Sequence, residues 1–131
     1  MRIYIDENLS EHVASALNLL CRGHFSDIQV LSTKIAIAPG APDEVIIPTI
    51  GAAEGTLITR DFNIKRTRAQ FQLCQQSRVG VIFLNLPKDS SRHWDMVKML
   101  IVYWERIVEA VHTNERPFAL RATNRTIGEM D

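Results

Sequence analysis

Short β-rich runs alternate along this chain with longer stretches of helical period, and that alternation limits the fold more than any other feature. Residues 2–5, 28–31, 56–59, 79–84 and 118–121 read as strands, rich in Ile, Val, Leu, Tyr and Phe. Between them, apolar residues return at three- and four-residue spacing. A strand–helix–strand succession closes most readily as a parallel sheet with helices on both faces. The expectation is therefore an α/β chain: a three-layer α/β/α sandwich on a mainly parallel sheet of four to five strands. Its 131 residues suit a single domain, residues 1–131, with 122–131 as a frayed polar tail.

The connections carry local signals. Asn8 to Glu11 has capping-box spacing, with Asn8 as the cap. The helix after it sets Leu9, Val13, Leu17 and Leu20 on one face and ends near Gly23. A loop runs through Pro39, Gly40 and Pro42, and Pro42-Asp43-Glu44 then reads as a helical first turn. Pro48 either kinks that helix or restarts it. Thr67 to Gln70 is a second capping-box pattern, opening a helix that ends about Ser77. The longest helix spans roughly residues 91–113, and Trp94, Val97, Ile101, Trp104, Val108 and Val111 form a stripe read as core.

Charge is informative in its placement. Lys+Arg and Asp+Glu both total 15, yet Arg60, Lys65, Arg66 and Arg68 crowd around a single acid, Asp61, in what reads as a basic loop. A local cationic patch attracts a polyanion even at zero net charge. Cys21 and Cys74 are too few for a disulfide framework and read as reduced core thiols. No signal segment and no membrane-length apolar run is visible, so a cytoplasmic location is expected. Cys21 to His24 is half a zinc motif without a second ligand pair, which leaves a buried thiol and a surface imidazole. His93 and His112 fall on the polar side of the long helix and read as solvated. Neither a Gly-rich phosphate loop nor a Gly-x-Ser-x-Gly elbow is present.

Asp6 and Asp61 each follow a predicted parallel strand, and Asp43 or Glu44 opens the helix between them. Ligands of open α/β sheets bind beyond the carboxyl ends of the strands. Two carboxylates about 4 Å apart repel by roughly 4 kcal/mol at a surface-like dielectric. Three together therefore call for protons or a cation, and oxygen-only ligands select Mg²⁺ or Mn²⁺. Arg60, Lys65, Arg66 and Arg68 would hold phosphates beside such an ion. The structural alternatives are simple: Asp6 caps a helix, Asp43 and Glu44 favour a dipole, Asp61 starts a turn, and the cations are solvated.

With these residues in place the chain resembles a PIN-like domain, and more narrowly the small stand-alone toxins of the VapC type. The resemblance rests on residues 5–9 (Ile-Asp-Glu-Asn-Leu), Pro42-Asp43-Glu44, residues 57–61 (Leu-Ile-Thr-Arg-Asp), the run 64–68 and the long Trp-containing helix. It implies a Mg²⁺- or Mn²⁺-dependent endoribonuclease. Asp6, Asp43 and Asp61 would be the metal ligands, Glu44 an alternate ligand or outer base, and Arg60 the contact to the scissile phosphate. It also implies an RNA substrate, a cognate antitoxin protein and a homodimer. Many relatives carry a further acid where this chain has Asn63, and Asn85 follows the fourth strand without one, which implies a lean metal site. A PIN-like fold that binds RNA or protein without catalysis is the alternative. A phosphoacceptor receiver domain would need a hydroxyl residue at Asn85 and a lysine at Arg121. A haloacid-dehalogenase-like phosphatase would need an acid at Asn8.

Overall fold

The computed structural model describes residues 1–60, 63–86, 92–123 and 125–130. Six strands form one sheet in the order β2-β1-β3-β4-β5-β6: β1 Arg2–Ile5, β2 Gln29–Ser32, β3 Thr56–Arg60, β4 Gly80–Leu84, β5 Ala119–Ala122 and β6 Ile127–Glu129. The first five strands are parallel, and β6 runs antiparallel to β5. The expected parallel sheet is present, and residues 127–129 extend it by pairing with β5 where a frayed tail was expected.

Alternation along the strands sorts two cores. Ile3, Ile5, Ile58, Ile82, Leu84 and Leu120 face α1 (Glu11–His24) and α5 (His93–Thr113). Tyr4, Leu57, Val81 and Phe83 face α3 (Asp43–Ala52) and α4 (Ile64–Ser77). The result is the three-layer α/β/α sandwich. The α3–α4 pair packs closely because Gly51 has no side chain: a Cβ there would collide with the Ser77 carbonyl oxygen. No helix among the described residues is long and apolar enough to cross a membrane.

Several local expectations are corrected. Helix α1 is capped by Ser10, whose Oγ accepts from the His12 N–H at 3.1 Å, while Asn8 belongs to a 3-10 turn, Glu7–Leu9. Leu20 is exposed, and Ala14 and Cys21 complete the buried face instead. A short helix, α2 (Thr33–Ala36), interrupts the loop before Pro39. Helix α3 runs on through Pro48. Helix α4 starts one turn earlier than Thr67, because the Asn63 Oδ1 accepts from the Arg66 N–H at 2.9 Å. Lys65, Arg66 and Arg68 therefore stand on the first two turns of a helix, not in a loop.

On α5 the predicted stripe is half right. Trp104, Val108 and Val111 are buried, but Trp94 is 69% exposed and Ile101 51% exposed. Met96, Met99, Leu100, Tyr103 and Ile107 fill the core face. Trp104 donates its Nε1–H to Cys21 Sγ at 3.2 Å, tying α5 to α1. Cys21 and Cys74 are both free and buried, as expected.

Candidate active site at the carboxyl edge

Strand β1 pairs with β2 on one side and β3 on the other, so the strand order reverses direction at β1/β3. That is the switch point at which an open parallel sheet leaves a crevice beyond its strand ends. Asp6 follows β1 directly, and its N–H donates to the Ile58 carbonyl at 3.0 Å. Arg60, partly buried, is the last residue of β3. Asp61, the next acid in the sequence, lies outside the described residues.

The half-buried Asp6 carboxylate is fixed from two directions. Its Oδ1 accepts from the backbone N–H of Asn8 at 3.0 Å and from Asn8 Nδ2 at 3.2 Å. Its Oδ2 accepts from the Thr59 hydroxyl at 2.8 Å. Thr59 is fully buried on β3, so the hydroxyl locks the carboxylate across the strand pair. The capping role weighed for Asp6 is real, and it uses one oxygen only. Glu7 is drawn off to the side, where its carboxylate accepts from the Gly40 N–H at 3.0 Å.

Asp43 opens α3 and comes to the same edge. Burial pushes its carboxyl above the ordinary value; the Arg66 guanidinium and the Gln70 amide pull it back, and the charges of Asp6 and Glu44 push it further up. Asp6 and Glu44 thus each lie within electrostatic reach of Asp43, with Glu44 the exposed member. Arg66 Nε stands 4.0 Å from Asp43 Oδ2, a long and largely exposed ion pair of small energetic weight. Arg60, Lys65 and Arg68 make no ion pair among the described residues, and Lys65 and Arg68 are exposed.

Three residues besides the acids and cations support this edge, and Thr59 and Gln70 among them carried no sequence signal. Thr59 orients Asp6, and Asn63, where an acid was sought, is spent on capping α4. Gln70 is wholly buried beside Asp43: its amide is near enough to lower that carboxyl, although neither amide atom reaches hydrogen-bond geometry. One turn further on, burial and the Asp43 charge push the Cys74 thiol up to about 12, which keeps it protonated and a poor nucleophile. Among the described residues no group of three metal-ligating side chains converges. The donors that do come together are carboxylate oxygens, whose chemistry suits a hard divalent cation.

The comparison with known proteins takes in this edge together with the strands that build it. The family model for the PIN-like domain matches residues 1–86, which include β1 to β4 together with Asp6, Asp43 and Asp61. No curated protein and no solved structure matches the chain. Members of this superfamily are usually nucleases that use divalent metals. The chain belongs to the PIN-like domain family.

Proposed function

We propose that this chain is a metal-dependent endoribonuclease, the toxin of a toxin–antitoxin pair of the VapC type. The observation that supports it most is the charge interaction of Asp43 with Asp6 at the sheet's switch point, where burial already opposes ionisation of Asp43. Asp6 and Asp43, with Asp61 from the end of β3, would hold Mg²⁺ or Mn²⁺, and Glu44 serves as alternate ligand or outer base. The ion, when bound, supplies charge neutralisation and a more acidic water. Thr59 and Asn8 keep the Asp6 carboxylate pointed at the crevice. Arg60 contacts the scissile phosphate from the end of β3. Lys65, Arg66 and Arg68, set along the opening turns of α4, draw the neighbouring RNA phosphates toward the acids.

The same reading places the protein in the cytoplasm as one domain, able to form a homodimer and held in check by an antitoxin that covers the acid edge. Incubation of total RNA with the protein, with Mn²⁺ or with chelator, is the test. Cleavage should require the metal and fall by about 100-fold or more in Asp61→Asn or Asp6→Asn, a loss typical of one electrostatic contact at a reacting centre. Cleavage indifferent to chelator and to both substitutions would overturn the assignment. Metal binding without cleavage would select the RNA- or protein-binding alternative.

A further inference from the structure

At the other edge of the sheet, where the strands begin, a cleft of about 570 Å³ opens between the ends of α3, α4 and α5. Its size falls within the range of about 300–1,000 Å³ common to ligand sites. Three arginines line it: Arg2 at the start of β1, Arg78 after α4 and Arg116 before β5. Arg78 and Arg116 are clasped reciprocally. Arg78 Nη2 donates to the Arg116 carbonyl at 3.1 Å, and Arg116 Nη1 donates to the Arg78 carbonyl at 3.3 Å. Arg78 holds a left-handed backbone conformation, φ 59°, at the C-cap of α4. That conformation is costly for a non-glycine residue.

Each guanidinium of the clasp is held by a neutral carbonyl, which does not compensate its charge. Two acids share the cleft with the three arginines: Glu54, 81% exposed, lies 3.9 Å from Arg116 Nη2, and Glu115 forms no ion pair among the described residues. The Arg2 side chain has no ion pair or hydrogen bond among the described residues, and Met1, whose ammonium donates to the Asp27 carbonyl at 2.7 Å, also lines the cleft. No Phe, Tyr or Trp lines it, so it lacks the large aromatic surfaces on which bases stack best. His112, expected to be solvated, also lines this cleft and meets Asp27 at 2.6 Å, which occupies the Asp27 carboxylate.

We propose that this cleft is a second anion site that binds phosphate groups, supplied by an RNA backbone or by a free polyphosphate. Guanidinium forks pre-set at fixed spacing match phosphate oxygens, and a pre-organised pair loses little entropy on binding. The site is independent of the acid edge and of any divalent ion.

The test is titration of the full chain, in chelator, with tripolyphosphate and separately with a short single-stranded RNA, followed by amide NMR shifts and calorimetry. At least one probe should shift Arg2, Glu54, Arg78 and Arg116. Arg78→Gln should weaken binding about tenfold, the loss expected of one charge-assisted hydrogen bond. Arg2→Gln, at an exposed and unpartnered residue, should weaken it several-fold with an unchanged melting temperature, so a folding defect in the first variant cannot mask the result. Tripolyphosphate alone binding identifies a free polyphosphate, and RNA alone identifies the phosphodiester backbone. Absence of binding by both probes overturns the proposal, as does binding that survives both substitutions or maps to Lys65 and Arg68. Because chelator removes metal-dependent chemistry, failure here and failure of the nuclease reading remain distinguishable.

Discussion

Thr59→Val separates a stabilising hydrogen bond from a functional one. Thr59 is fully buried and its hydroxyl donates to Asp6 Oδ2 at 2.8 Å. Valine keeps the shape and removes the donor. A hydrogen bond to a charged group contributes about 1.5–3 kcal/mol. Asp6 is partly solvated and keeps its two Asn8 contacts, which favours the low end, about 1.5 kcal/mol. In a domain of this size that is a fall in melting temperature of roughly 4–8 °C. Thr59→Ser gives the necessary contrast: it keeps the hydroxyl and removes one buried methyl, a loss of about 1 kcal/mol. The two variants should therefore melt within a few degrees of each other and differ in RNA cleavage. Serine should retain it, and valine should lose it about tenfold or more as the Asp6 carboxylate turns away from the crevice. A double-mutant cycle in urea with Asp6→Asn should give a coupling near 1 kcal/mol or above. Coupling below about 0.3 kcal/mol, with full cleavage by the valine variant, would refute the reasoning.

Three further outcomes follow from the same geometry. Burial raises Asp43 in the native state, so its contribution to stability is greatest below the unfolded carboxyl value and fades as pH rises through the raised native one. Asp43→Asn should therefore melt higher than the wild type at neutral pH without divalent ions, with the gap closing in acid; a gap that does not change with pH contradicts this. Gly51→Ala forces a Cβ against the Ser77 carbonyl and should destabilise by about 1–3 kcal/mol, outweighing a helix-propensity gain of about 1 kcal/mol. Denaturant midpoints decide it, and a stabilised variant would mean that α3 and α4 do not pack as described. Trp104→Ala should cost about 3–5 kcal/mol while Trp94→Ser stays within about 0.5 kcal/mol, and equal losses would restore the original α5 stripe.

The sequence carried the layered architecture because strand identity rests on short-range alternation: Ile3 and Ile5 to one side and Tyr4 to the other reproduce the two cores. It carried Asp6 and Asp43 because a strand end and a helix start are locally marked, by apolar residues running out and by Pro42. The phase of α5 was not legible. From Met96 to Trp104 that helix is apolar on nearly every side, so periodicity admits two stripes and only the packed partners choose between them. Caps were misplaced where two candidates compete within a turn: Ser10 displaced Asn8, and Asn63 displaced Thr67. Thr59 and Gln70 had no signal at all, since each matters only through a partner distant in the chain: Asp6 for the first, Asp43 for the second. β6 was hidden for a similar reason: Ile127–Glu129 is a strand by virtue of pairing with β5, not by its composition.

If acids from the end of β1, the start of α3 and the position after β3 take up one divalent ion, Mn²⁺ titration followed by NMR line broadening will locate it. The amides of Asp6, Asn8, Asp43 and Thr59 should broaden early and chelator-reversibly, with Arg2 and Arg78 at the far edge spared, and the broadening should be lost in Asp6→Asn. Broadening that is absent, or that begins at the far edge, would contradict that shared site.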